Sequence, residues 1–222
     1  MGPPRFIVLC VESAQMVDGA RGATHSPGRT ATGRHMPDEL HERRFHGEGG
    51  RLRSPERTGL MEIARVVALA AEGLVSPRVL DVGTGTGLFA EAFAAEGLEV
   101  VGIDANPTLL DEARRLVPGV DFREASAEAI PYADGAFDLT FLGHVLHEAD
   151  DPAAALTEAR RVSARRVVVL EWPYEDGEHG PPLEHRLKPE TVKGIARRAG
   201  LVKVEHQRLA HMDLYRMPVE GA

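Results

Sequence analysis

One short stretch of this sequence concentrates what is needed to hold a small charged molecule. Asp81 and Val82 lead directly into Gly83-Thr84-Gly85-Thr86-Gly87, where every second residue lacks a side chain. Glycine at such a turn lets the backbone approach a ligand closely, and a helix that follows offers free N–H groups to it. Asp104 stands 17 residues after Gly87, where a carboxylate at a strand tip can accept both hydroxyls of a ribose. His144 and His147 form a second group, since imidazole takes and returns protons near neutrality. His144 is placed to touch a bound ligand and His147 to act as a general base; the competing reading of both is that they cap or pack a helix. A metal site is not expected, because His144, His147 and Glu148 lack the His-Glu-x-x-His order. Trp172, Tyr174, His185 and Arg186 lie on a loop rich in glycine and proline, and are candidates for substrate contact.

The elements that position these groups follow from periodicity. Leu60, Ile63, Val67 and Ala70 share one face of a helix expected from Glu56 to near Gly73. Beyond it, β-branched runs alternate with helical patterns: Arg78 to Val82, Leu88 to Glu96, Glu99 to Asp104, Leu109 to Val117, Val120 to Arg123, Phe137 to Leu142, Ala153 to Val162, and Arg165 to Glu171. Such alternation predicts a parallel sheet with helices on both faces. Val167 to Leu170 is apolar without alternation, as in a central or near-central strand covered on both sides. A helix starts at Pro189 and stops at Gly200. The runs Leu201 to Leu209 and Met212 to Met217 are separated only by a turn at Ala210-His211, too short for a parallel crossover, so an antiparallel hairpin is expected. The glycine loop thus falls on a strand-to-helix turn, and Asp104 at the end of the next strand.

With these motifs in place, the chain resembles the class I S-adenosylmethionine-dependent methyltransferases, most closely the small type 11 members. The resemblance spans roughly residues 50 to 205. It rests on Val79 to Gly87, on Val101-Gly102-Ile103-Asp104, on Ala125-Ser126-Ala127-Glu128-Ala129-Ile130-Pro131-Tyr132, and on Asp134 to His147. It implies a Rossmann-like, doubly wound, mostly parallel seven-stranded sheet with a C-terminal antiparallel hairpin, and S-adenosylmethionine as cofactor. Gly83 and Gly85 would then flank the methionine part, with Gly87 completing the loop. Asp81 would help orient the amino group, Asp104 with Ala105 beside it would hold the ribose, Ala127 would offer its N–H to the adenine ring, and Leu142 a carbonyl to the ammonium. The family commonly carries an acid before that alanine, whereas this chain has Ser126. A hydroxyl accepts more weakly, so an aspartate at 126 is expected to tighten binding. A nicotinamide-dependent oxidoreductase is disfavoured, because the sixth position of G-x-G-x-x-G is Leu88. A cofactor-binding regulator or partner subunit without catalysis remains open, since its binding residues would look the same.

Composition narrows the partners. Of 222 residues, 34 are acidic and 26 are Lys or Arg, for a net charge of −8, and such a surface repels phosphate backbones. A small-molecule acceptor is expected, with no nucleic acid and no membrane; oligomeric state is not set by the sequence. Cys10 is the sole cysteine, which rules out an intramolecular disulfide framework or a multi-thiolate site and fits a reducing cytoplasm. Phe6 to Val11 is shorter than a signal-peptide core of about 7 to 15 residues. Residues 1–35 lack apolar periodicity and are expected to be a disordered N-terminal extension. Residues 36–222 are expected to be one methyltransferase domain, with 36–75 a helical lid and 76–222 the Rossmann-like core. Arg51 to Arg57 and Pro173 to Arg186 are expected to close over the cofactor.

Overall fold

The computed structural model describes residues 49–219; the expectation for residues 1–35 lies outside them. The seven strands are β1 (Arg78–Val82), β2 (Glu99–Asp104), β3 (Asp121–Glu124), β4 (Phe137–Gly143), β5 (Ser163–Glu171), β6 (Glu205–Arg208) and β7 (Asp213–Pro218), in the order β3-β2-β1-β4-β5-β7-β6. The first five run parallel, while β7 pairs antiparallel with both β5 and β6. This is the expected seven-stranded Rossmann-like sheet with its C-terminal hairpin. Because the chain winds outward from β1 to β3 and then reverses to β4, the order switches between β1 and β4. An open α/β sheet leaves its ligand crevice at the carboxyl ends of the strands at such a switch.

The leading helices are α1 (Gly49–Leu52), α2 (Pro55–Leu60) and α3 (Ile63–Ala71); the crossover helices are α4 (Leu88–Ala95), α5 (Pro107–Leu116) and α6 (Pro152–Val162), and α7 (Pro189–Arg198) precedes the hairpin. Alternate β5 residues serve opposite cores. Val168 and Leu170 pack with Phe89, Phe93 and Phe141 below α3, α4 and α5, whereas Val167 and Val169 pack with Leu156, Ala159 and Ile195 of α6 and α7. A strand buried on both faces needs the unbroken apolar run seen in the sequence. Helix starts are locally encoded: Asn106 accepts the N–H groups of Thr108 and Leu109, Asp151 those of Ala153 and Ala154, and proline follows each.

Two expectations need correction. The helix expected to run unbroken from Glu56 is interrupted at Met61 and Glu62, where Glu62 adopts φ 45°. Its side chain there binds Arg65 and the N–H of Ala210, so long-range contacts override the helical period. The chain can then turn: α3 buries Val66, Val67 and Ala70 against the sheet, and α2 is free to reach the crevice. Full burial of a valine stabilises by about 1.5–3 kcal/mol, which fixes α3 but not α2, where no residue is fully buried. The Leu201 to Leu209 run narrows to β6, which is mostly exposed and pairs only with β7. Charged residues on a short edge strand discourage further pairing.

Candidate active site

The glycine loop follows β1 and crosses the switch point. Gly83, Gly85 and Gly87 all have left-handed φ, at 65°, 55° and 79°, which glycine reaches without steric cost. At Gly83 space is as restrictive as backbone, since a Cβ would lie 2.3 Å from Val145 Cγ2. The Gly85 N–H donates to Asp104 Oδ2 and the Asn106 N–H to Asp104 Oδ1, both at 2.8 Å. Burial raises the Asp104 pKa more than the N–H groups of Asn106, Gly85 and Ala105 lower it. Below the loop, the Thr84 hydroxyl donates to Asp81 Oδ2 at 2.6 Å. Burial pushes Asp81 up to about 7, with the Asp104 charge adding to the rise and the bonds from Thr84 and Ala90 opposing it. Asp81 therefore braces the loop against α4.

One cavity of about 920 Å³ extends from this loop, within the range of cofactor and small-molecule sites. Of the residues singled out from the sequence, it is lined by Asp81, Gly83, Gly85, Asp104, Ala105, Ser126, Ala127, His144, His147, Trp172 and His185. Gly87, Leu142, Tyr174 and Arg186 lie elsewhere. Gly87 caps α4, and a Cβ there would press on Phe122 and Val117 at 3.0 and 3.1 Å. Leu142 is fully buried, with Gly143 lining the cavity at the end of β4. Tyr174 is exposed beneath Lys188. Arg186 is buried and donates to the carbonyls of Pro173, Glu175, His179 and Pro181; it holds the loop after β5 in shape.

The residues at the loop fit a nucleoside-bearing cofactor. Gly85 and Asn106 donate to separate Asp104 oxygens with the Ala105 N–H also close, and since a carboxylate oxygen can accept two bonds, Asp104 keeps capacity for a ribose. Left-handed glycines bring bare backbone to the cavity wall beside it. Ser126 departs from the sequence-level expectation: its hydroxyl donates to Glu128, whose other oxygen accepts the N–H groups of Asp150 and Asp151. Glu128 lines the cavity and sets a carboxylate beside position 126. An aspartate at 126 would face Glu128, and the like charges would oppose the expected gain.

The far end of the cavity is built on the ends of β4 and β5. His147 is buried; its Nδ1 lies 2.7 Å from Glu171 Oε2, and its backbone N–H donates to Glu171 Oε1 at 3.2 Å. Burial opposes charge on this ring, but the Glu171 carboxylate outweighs it and holds the pKa above that of an ordinary histidine. His144 differs: burial, with Arg57 and His147 nearby, holds its pKa well below normal. Among the described residues neither ring nitrogen of His144 has a hydrogen-bond partner, and its backbone is left-handed at φ 62°. Strain of this kind in a non-glycine residue concentrates at functional sites. Trp172 packs 5.2 Å from His144, with Arg57 6.0 Å above its ring.

The segments on either side meet across this cavity. Arg51, Leu52 and Arg57 line it from one side, and Gly180, Pro181, Pro182 and His185 from the other. Arg53 donates to Thr86 Oγ1 at 3.2 Å and to its carbonyl at 2.8 Å, and forms an ion pair with Glu91 at 2.6 Å. Sequence reasoning missed Glu171, whereas Glu128 and Arg53 lay in segments it had singled out without a role of their own. Glu171 carried a signal, as a charged residue ending an apolar strand; the other two are joined to the site only by folding.

Residues 80–169 match the model of a family described as a methyltransferase domain. A demethylmenaquinone methyltransferase of Renibacterium salmoninarum is 36% identical over 110 residues, covering 49% of this chain and 46% of that protein. That of Thermus thermophilus is 43% identical over 117 residues, covering 49% and 53%. The chain thus spans about half the length of the curated relatives it matches. The solved structure of a SAM-dependent methyltransferase from Aquifex aeolicus aligns with a TM-score of 0.66 at 24% identity, covering 77% of this chain and 96% of that one; this likeness concerns the fold.

Proposed function

We propose that this chain, which carries a class I S-adenosylmethionine-dependent methyltransferase domain, transfers a methyl group from S-adenosylmethionine to a small-molecule acceptor. The observation that carries the reading is the continuity of one cavity from the Gly83–Asp104 cradle to His147 and Trp172. Gly83, Gly85 and Asp81 would hold the methionine end, Asp104 and Ala105 the ribose, and Ser126, Ala127 and Glu128 the adenine. When bound, S-adenosylmethionine supplies a methyl carbon activated by a positive sulfonium, so the protein's part is alignment, exclusion of water and proton handling. His147 takes a proton from an acceptor that must lose one. Trp172, Pro181 and Pro182 offer apolar walls to a planar acceptor, in accord with the names of the relatives, so demethylmenaquinone is the acceptor class to try first. The α1–α2 segment and the loop after β5 act as lids. A cytoplasmic location accords with the single cysteine, and no helix among the described residues is long and apolar enough to cross a membrane.

The test incubates the full chain with labelled donor and a panel of acceptors, demethylmenaquinone included, and measures release of S-adenosylhomocysteine. Acceptor-dependent release is expected. Tight binding of S-adenosylhomocysteine without turnover on any acceptor would make the protein a binder, and absence of binding would sink the reading altogether.

A further inference from the structure

We propose that Glu171 is a positioning residue for the transfer: by accepting both the backbone N–H and the ring Nδ1–H of His147, it fixes the imidazole in the tautomer whose free lone pair is on Nε2, at the cavity. The inference rests on the methyl-transfer reading of this cavity.

Glu171 ends the apolar run of β5 and is 1% exposed, a place where an ionised group is costly unless paired. The hydrogen bonds of its two oxygens both come from His147, so ring and backbone of one residue are clamped by one carboxylate. A glutamine would fill the same space without burying a charge, and the neighbouring strand makes charge here costlier still. Asp213 of β7 stands directly opposite Glu171 in the antiparallel ladder and is 2% exposed. Like charges directly opposite on such a pair destabilise a sheet. Asp213 has its own partners, His206 Nε2 at 2.9 Å and Arg208 Nη1 at 3.7 Å, so Glu171 is left to His147. A buried carboxylate set beside another is a poor way to brace a strand end, whereas paired with His147 it is an effective way to stabilise an imidazolium.

The groups facing His147 are thus Glu171 from β5, with Asp213 behind it on β7, Glu148 beyond β4, and Arg57 from α2, while His144 is held neutral. Glu171 and Glu148 favour a proton on His147, while burial and Arg57 oppose it. In the step this serves, the X–H bond of the acceptor breaks, its electron pair stays on X as the nucleophile, and the proton goes to Nε2. Glu148 Oε1 lies 3.7 Å from Nε2 with its side chain 30% exposed, so the proton can pass on to water from there.

Glutamine at 171 keeps the shape and removes the charge. In apo protein carrying ¹⁵N-labelled histidine, long-range ¹H–¹⁵N NMR reports the tautomer and titration of His147. The wild type should titrate above the ordinary histidine range, with the neutral ring protonated on Nδ1; in E171Q the titration should move about one pH unit lower, a tenfold loss in proton affinity. The acid limb of kcat against pH should move down by the same amount while its plateau falls about 100-fold, the lower end for general base catalysis. Affinity for S-adenosylhomocysteine should stay within about twofold. If E171Q does not fold, E171D keeps the charge but withdraws it by one methylene, and should lower the His147 titration by a smaller step. An unmoved titration, or a wild-type neutral ring protonated on Nε2, overturns the role of Glu171. Failure of the wild type to bind S-adenosylhomocysteine instead overturns the methyl-transfer reading, whatever the NMR result.

Discussion

Replacing Asp104 by alanine separates what this carboxylate does for the loop from what it does for a ligand. Its two internal bonds, from Gly85 and Asn106 at 2.8 Å, exist with or without cofactor, so their loss appears as lower stability. The loss in affinity is set by the acceptor capacity the carboxylate keeps for a ligand. Hydrogen bonds to a charged group contribute about 1.5–3 kcal/mol, so loss of the ribose contacts should raise the dissociation constant for S-adenosylhomocysteine roughly 10- to 150-fold. Asparagine should recover little, because its NH₂ group must face either the Gly85 or the Asn106 N–H and one oxygen is gone. Burial raises the Asp104 pKa, and the ligand prefers the carboxylate. Affinity should therefore be full above that raised pKa and fall as pH drops through it, starting at a higher pH than for an ordinary aspartate. Isothermal titration at several pH values, with a urea melt of each variant, reads all of this. An unchanged dissociation constant in a variant that melts like the wild type would remove Asp104 from the site.

Further tests follow from the same geometry. Gly83→Ala meets both a left-handed backbone and Val145 Cγ2 at 2.3 Å, and should destabilise by about 1–3 kcal/mol; adding Val145→Ala should recover only the steric part, and full recovery in urea melts would show that backbone conformation is irrelevant there. Asp81, raised from 3.8 to about 7, binds its proton more tightly folded than unfolded. Its contribution is thus complete below pH 3.8 and lost as pH rises through about 7, up to roughly 4 kcal/mol at 1.36 kcal/mol per decade. Asp81→Asn should flatten the stability profile across that window, and parallel profiles would refute this. Ser126→Asp should weaken S-adenosylhomocysteine binding, since the new carboxylate faces Glu128, and adding Glu128→Gln should restore it; tighter binding by the single variant would show that Glu128 does not occupy that contact.

The sheet was legible because its information is local. Glu99 to Asp104 has the bounds the sequence suggests, since a buried parallel strand is written as a contiguous apolar run between punctuating residues. The Asp81–Gly87 loop and Asp104 were legible for the same reason, lying within a single strand-turn-helix-strand unit. The break at Glu62 was not, because it depends on Ala210, 148 positions away. Nor was the pairing of His147 with Glu171, although each lay in a segment already suspected, because the register of β4 against β5 brings them together. Arg186 shows the opposite error: an arginine in a candidate lid reads as a ligand contact, but four loop carbonyls take its donors.

The fastening of Arg53 to Thr86 and Glu91 has a kinetic side. Its ion pair is partly wet, with side chains 21% and 49% exposed, so its strength falls with added salt. With the leading helices acting as the proposed lid, a ligand seated behind Leu52 would depart only as fast as that fastening releases them. Residence time should then shorten as ionic strength rises, while the bonds to Thr86, which involve one charge rather than two, keep the effect modest. A surface ion pair that adds little to folding would in this way regulate how long the crevice stays shut.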